Sequence, residues 1–329
     1  MKKILVTGGA GYIGSHTIVE LFKANYEPII VDNMCNSDER NIRGINKIIG
    51  REVKHYKIDC TNEKKFSEVF EREGSISGVI HFAAFKSVEE SVRKPEKYYH
   101  NNINSLKILL KLMKKYTVNN IIFSSSCTVY GNPDKLPVNE STYFKTAESP
   151  YGETKQKCEE ILKKSDLNSV SLRYFNPIGS HESGLIGDCS ADKPANLIPI
   201  ICEVAKGKRD ELIINGNDYC THDGTCIRDY IHVVDLSKAH VSALSIVQKE
   251  NKKYIFNVGT GKGTSVLEAI QIFEKANNIK IKFSIGKRRN GDVEQIYSCN
   301  KLVKKILKWK PKKSMKDSMI SAWNWENNK

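Results

Sequence analysis

The feature that most restricts the fold is a glycine-rich turn set directly between a short apolar run and a helical pattern. Residues 3–7 form a strand candidate, Gly8-Gly9-Ala10-Gly11-Tyr12-Ile13-Gly14 follows without a gap, and an amphipathic stretch opens at Tyr12. A strand and a helix joined by so tight a turn pack back to back, the first half of a strand–helix–strand unit. The alternation then continues. Runs rich in Val, Ile or Phe at 28–32, 53–58, 78–82, 120–124, 169–174 and 254–258 are too short to be helices. Amphipathic stretches at 12–24, 62–73, 96–116 and 151–164 lie between them. Such alternation predicts an α/β fold, a doubly wound parallel sheet of Rossmann type with helices on both faces.

Beyond Asn176 the rhythm breaks, with Gly and Pro clusters through 176–199 and a polar loop at 215–226. The expected organisation is a dinucleotide-binding domain over 1–177, rejoined at about 231–258. A smaller, interleaved α/β substrate domain takes 178–230 and 259–329.

The composition excludes several function classes. With 40% hydrophobic and 27% charged residues the chain lies in the ordinary globular range. Its longest apolar stretch, 197–201, is far too short for a bilayer, so no membrane partner is expected. Nine cysteines without a CxxC pair read as reduced thiols, which predicts a cytoplasmic location and no metal centre. The cluster Cys220-Thr-His222-Asp223-Gly-Thr-Cys226 matches no usual zinc spacing. The net charge of +14 is partly local: in 300–313, Leu302, Ile306 and Trp309 fall on one helical face and lysines on the other, a surface helix expected to end at Pro311. No aromatic-interleaved basic groove accompanies it, so no nucleic-acid partner is expected.

Two constellations carry chemistry. The glycines at 8, 11 and 14 let backbone N–H groups meet a pyrophosphate at a helix N-terminus. Asp32 ends the second strand eighteen residues after Gly14, where a carboxylate binds ribose hydroxyls and repels a 2′-phosphate, favouring NAD. Taken alone, Asp32 also reads as a loop cap. In the second constellation Tyr151 and Lys155 stand at i and i+4, on one helical face. Positive charge from the lysine and an oxidised nicotinamide is expected to lower the tyrosine pKa and make it a general base. The serine run Ser124-Ser125-Ser126 falls at a strand C-terminus, where open α/β sheets bind ligands.

These residues resemble the extended short-chain dehydrogenase/reductase family, and within it the nucleotide-sugar 4-epimerases. The similarity runs over nearly the whole chain. It includes Val31-Asp-Asn33, Tyr98-Tyr99, Leu172-Arg-Tyr-Phe-Asn-Pro177, Asn196-Leu-Ile-Pro199, Gly216-Asn-Asp-Tyr219, Arg228-Asp-Tyr-Ile-His-Val233 and Arg289-Asn-Gly-Asp292. The resemblance implies that Gly8, Gly11, Tyr12, Ile13 and Gly14 hold the NAD pyrophosphate. Asp32, Asn33, Asn36 and Ser37 would take the adenosine ribose, and Asp59 and Cys60 the adenine. Phe82, Ala83, Lys86, Asn101, Ser124 and Phe175 would line the rest of the cofactor cleft. Ser126, Tyr151 and Lys155 would be catalytic, Lys155 also holding the cofactor ribose. A UDP-sugar would be bound by Asn176, Asn196, Leu197, Asn215, Arg228, Tyr230, Arg289 and Asp292, with Lys86, Ser126 and Tyr151 at the sugar. Arginine forks match diphosphate oxygens. Ile296 falls where the family sets pocket size, which leaves N-acetylated UDP-sugars open as alternative or additional substrates. Asn215 replaces an aromatic often found beside the uracil.

The reaction so implied is interconversion of UDP-glucose and UDP-galactose: oxidation at C4, rotation of the 4-keto sugar and re-reduction on its other face. Dehydratases and decarboxylases of the same family carry carboxylates after the third serine, and here Cys127 and Thr128 stand there. The resemblance also implies a homodimer joined through helices at about 96–116 and 151–164.

Overall fold

The computed structural model describes residues 1–189, 194–289 and 292–329. Seven strands form one parallel sheet: β1 (Lys2–Thr7), β2 (Tyr26–Asp32), β3 (Lys54–Lys57), β4 (Ile76–His81), β5 (Asn120–Ser126), β6 (Asn168–Tyr174) and β7 (Lys253–Val258). Their order is β7-β6-β5-β4-β1-β2-β3. The direction of winding therefore reverses beside β1, and ligands of such sheets bind outside the strand C-termini at that point.

The central strands β1, β2, β4 and β5 carry continuous apolar runs because both faces are covered. Ile4, Val6, Ile30, Ile80 and Ile122 join the cluster formed with α1 (Tyr12–Lys23), α2 (Glu39–Ile49) and α6 (Val233–Val247). Their neighbours Leu5, Ile29, Val31, Val79, Ile121 and Phe123 join the cluster formed with α3 (Glu63–Glu73), α4 (Asn104–Lys115) and α5 (Pro150–Lys164). The period of two sends alternate residues to opposite clusters.

A third cluster unites Ile178, Ile198, Ile201, Leu212, Ile214, Tyr230, Ile270, Phe273 and Met319. Small strand pairs frame it, Asn176–Ile178 with Tyr230–His232 and Leu212–Asn215 with Phe283–Gly286, both parallel.

Two expectations are corrected. The stretch 96–116 is one helical run but not a regular α-helix: Pro95–Tyr98 leads into a wider π-type turn at Tyr99–Ile103 before α4 begins. Asn102 explains the break, since its side chain accepts from Phe85 N at 2.8 Å and donates to Phe85 O at 3.1 Å. Such bulges are frequent at functional sites, and this one turns Asn101 onto a cavity wall. The basic stretch 300–313 is helical only at Lys301–Ile306, ending well before Pro311. Lys308 adopts φ +53°, and Trp309 is buried with its indole N–H donating to Asp235 O at 2.9 Å. The Asp235 carboxylate then accepts from the backbone N–H groups of Lys312 and Lys313, both at 2.7 Å.

Candidate active site

A cavity of about 290 Å³ opens at the C-terminal ends of β1, β4 and β5. Every residue assigned above to the cofactor lies on its wall, from Gly8, Gly11, Tyr12, Ile13 and Gly14 to Ser124, Tyr151, Lys155 and Phe175. The backbone dictates the glycines. Gly8 holds φ +69°, and a Cβ there would stand 2.8 Å from Ala83 N. A Cβ on Gly14 would stand 2.3 Å from Gly8 O. Gly11 caps α1 without a side-chain hydrogen bond, so the first-turn N–H groups keep their donor capacity.

At the far end of this cavity Asp32 accepts from Ala10 N at 3.1 Å, Met34 N at 2.9 Å and Ser37 Oγ at 2.9 Å. It thus caps the 33–37 loop as well as lining the cavity, and both readings of its carboxylate describe one geometry. Asn33 donates to Asp59 at 3.0 Å. Burial works against the Asp59 carboxylate, yet bonds from Thr61 and Asn33 hold its pKa below the usual range. Asn36 presents a buried carbonyl oxygen that has no hydrogen-bond partner among the described residues. An open helix N-terminus, a carboxylate and an orphaned acceptor are the groups that a pyrophosphate and a ribose require, so these residues fit a dinucleotide.

Strand alternation sorts the serines. Ser124 and Ser126 line the cavity, while Ser125 points away and donates to Glu159 on α5 at 2.5 Å. Ser149 caps α5 by accepting from Gly152 N at 3.2 Å, which places Tyr151 and Lys155 in its first turns. Lys155 Nζ donates to the Ser124 carbonyl at 2.7 Å and lies 5.8 Å from the Tyr151 ring centroid.

A second cavity, about 350 Å³, shares Tyr12, Asn36, Lys86, Asn176 and Asn196 with the first. Leu197, Asn215, Arg228, Tyr230, Arg289 and Asp292 complete the substrate assignments found on its wall. Both arginines reach one carboxylate: Arg289 Nη2 lies 2.7 Å and Arg228 Nη2 3.6 Å from Asp292 Oδ1. Ile296 is the exception. It lines neither cavity but is buried with Cys127, Val129 and Phe175, behind the cofactor wall, because its strand Gln295–Ile296 pairs with Ile227–Arg228 and turns it inward. Asn290 and Gly291 lie outside the described residues.

Comparison with known proteins agrees with this geometry. A sequence model of the NAD dependent epimerase/dehydratase family matches residues 4–259. The chain belongs to that family. It is 45% identical over 330 residues to the UDP-glucose 4-epimerase of Haemophilus influenzae, covering 99% of this chain and 97% of that one. Among solved structures, the UDP-glucose-4-epimerase from Stenotrophomonas maltophila, with bound NAD and formylated UDP-arabinopyranose, is similar with TM-score 0.96, 40% identity and coverage of 100% and 98%. The Bifidobacterium longum enzyme in complex with NAD+ and UDP is similar with TM-score 0.95, 44% identity and coverage of 99% and 98%.

In this epimerase-family site burial acts on both members of the Tyr151–Lys155 pair. Burial pushes the Tyr151 phenol up to about 12, with Ser126 drawing it back. Burial also lowers Lys155 to about 8. Burial is thus the largest influence on the phenol, and the charge of an oxidised nicotinamide is the group left to oppose it. Sequence reasoning also missed two residues. Tyr174, the neighbour of Phe175, lines the cofactor cavity and hydrogen-bonds to Ser124. Glu159 anchors Ser125, and its signal was the helical spacing from Lys155.

Among the described residues, no group of three or more His, Cys, Asp or Glu is arranged to hold a metal, and no helix is long and apolar enough to cross a membrane.

Proposed function

We propose that this chain interconverts UDP-glucose and UDP-galactose, with NAD held in the first cavity and the nucleotide sugar in the second. The observation that carries this reading is the shared wall of the two cavities. Tyr151, Ser126 and Lys155 line the first cavity with the glycine-rich turn, and a sugar entering across the shared wall from the second cavity would meet them. Bound NAD supplies the hydride acceptor and donor for sugar carbon 4.

The chain's own residues do the rest. Tyr151 takes the 4-hydroxyl proton at its phenol oxygen and later returns it, as a general base and acid. Lys155 holds the cofactor ribose and contributes positive charge to the phenol. Arg228 and Arg289 exchange Asp292 for the diphosphate oxygens, whose charge and geometry suit two guanidinium forks. With the UDP end anchored, the 4-keto sugar turns without leaving. Gly8, Gly11, Tyr12, Ile13 and Gly14 take the pyrophosphate, and Asp32, Asn33, Asn36 and Ser37 the adenosine ribose.

In this reading 1–177 with 231–258 is the cofactor domain, and 178–230 with 259–329 the substrate domain. The protein is a cytoplasmic homodimer joined through the 96–116 and 151–164 stretches, a reading supported by nine free cysteines for the compartment and by resemblance for the dimer.

The test is a product assay on purified protein with UDP-galactose and no added cofactor, read by NMR. Conversion to UDP-glucose that vanishes in Tyr151→Phe is expected. No conversion with NAD supplied overturns the assignment.

A further inference from the structure

We propose that Asp188 is a specificity-determining residue for the sugar: its carboxylate cancels the charge of Lys86 and so disfavours nucleotide sugars that carry a carboxylate of their own. This rests on the function proposed above. Lys86 lines both cavities, and Asp188 lines the second. Lys86 Nζ and Asp188 Oδ1 lie 3.8 Å apart. Arg228 and Arg289, which suit a diphosphate, lie on the second cavity alone, whereas Lys86 stands where the two cavities meet. With the diphosphate on the arginines and the reacting carbon toward Tyr151, the sugar is the part of the ligand that meets Lys86, with Asp188 beside it.

The backbone that carries Asp188 is held from two sides. Asn41 on α2 is fully buried, donates to Gly187 O at 3.2 Å and accepts from Gly187 N at 3.2 Å. The same carboxamide donates to Ala10 O in the glycine-rich turn at 3.0 Å. Gly44, three residues along α2, lets the helix approach, since a Cβ there would stand 2.1 Å from Leu185 O. On the other side Trp325, in the helix Met315–Asn328, donates its indole N–H to Asp188 O at 3.2 Å. The Asp188 side chain is 17% exposed and that of Lys86 44%. The carboxylate is thus the fixed member of the pair, and the longer lysine side chain comes to it.

The other acids on the second cavity have their own basic partners. Glu89 has Arg93 at 3.4 Å, Glu90 has Lys97 at 2.8 Å, Glu326 has Lys208 at 2.5 Å and Asp292 has Arg289 at 2.7 Å. Asp188 is the acid set against Lys86. To a neutral sugar the pair offers a carboxylate that accepts from hydroxyls and an ammonium that donates to them. To a sugar acid it offers no net charge and sets one carboxylate against another, and specificity is built by such repulsion as well as by attraction. Asp188→Asn keeps the shape, removes the negative charge and leaves the Lys86 charge to attract. The sign of the change therefore depends on the sugar, which a loss of packing cannot imitate.

The experiment titrates NAD-loaded native, Asp188→Asn and Asp188→Glu protein with UDP-glucuronate and with UDP by calorimetry, and measures KM for UDP-galactose on the same preparations. Asp188→Asn is expected to bind UDP-glucuronate roughly 5- to 20-fold more tightly, the worth of one charge in a partly exposed site. UDP binding should not change, and KM for UDP-galactose should stay the same or rise. Asp188→Glu keeps the charge and should leave UDP-glucuronate as weak as in native protein. Adding Lys86→Met to Asp188→Asn should abolish the gain. Unchanged UDP-glucuronate binding in Asp188→Asn, a weakening of all three ligands together, an equal gain for UDP-galactose, or a gain that survives Lys86→Met would each overturn the proposal. If Asp188→Asn does not fold, Lys86→Met alone reads the pair from the other side. With Asp188 unopposed, UDP-glucuronate should weaken relative to UDP, and an unchanged ratio removes the role. If native protein binds UDP but leaves UDP-galactose unconverted, the function proposed above fails, and the ratio of UDP-glucuronate to UDP affinity still decides the role of Asp188. A native protein that binds no UDP overturns both.

Discussion

Glu159 lies one helical turn beyond Lys155, and both its carboxylate oxygens are taken by Arg173, at 2.9 Å from Nε and 2.6 Å from Nη2. The pair is only 4% exposed on each side. It bolts α5, which carries Tyr151 and Lys155, to β6, and Ser125 ties the same carboxylate to β5. Glu159→Gln keeps the shape but strands a buried guanidinium, which costs about 3–5 kcal/mol. Urea unfolding should show that loss, and kcat should fall with it as α5 loosens against the serine strand. A variant as stable as the native protein would show that the pair is replaceable.

Tyr151→Phe removes the oxygen that exchanges the sugar proton while leaving the ring packing intact. Loss of general base catalysis predicts a fall in kcat of roughly 10²- to 10⁴-fold. NAD bound per chain, measured by absorbance after denaturation, should stay at the native level, which separates chemistry from cofactor binding.

Gly14→Ala places a methyl group 2.3 Å from Gly8 O and 2.7 Å from Gly9 Cα, both backbone atoms that cannot swing aside. The turn must open to admit it. Cofactor retention should drop sharply and the thermal midpoint should fall, both readable in one differential scanning experiment with and without added NAD. A fully loaded variant would show that the turn relaxes freely.

Acid should unfold this protein early. Burial lowers His16 and His81 to about 3, and His232 and His240 to about 4. Each is neutral when folded but titrates near 6.5 when the chain is unfolded. Between those values the unfolded state binds more protons, so stability is complete above about pH 6.5 and declines as pH falls toward about 4. Each histidine adds a slope of up to about 1.4 kcal/mol per pH unit. Urea midpoints measured from neutral pH downward should fall steeply in that window, and a flat profile would show these rings are accessible to protons in the native state.

The parallel sheet, the glycine turn and the Tyr151–Lys155 pair were legible in the sequence because each is a local pattern. A strand covered on both faces must be continuously apolar, a turn that touches backbone on two sides must lack Cβ atoms, and i and i+4 share a face of any helix. α6 gave no amphipathic signal because the sheet and α1 bury it on most of its sides. The turn at Tyr99–Ile103 and the early end of the Lys301–Ile306 helix were equally hidden, since they depend on Asn102 reaching Phe85 and on Asp235 reaching Lys312 and Lys313. Which serine faces the site, the seat of Ile296 behind Phe175, and the rise of the Tyr151 pKa under burial were decided only by the tertiary structure. The sequence determined by itself which chemical groups are present and which neighbours along the chain they keep. Their direction, burial and hydrogen-bond partners come from residues far away in sequence, and those partners decide what each group can do.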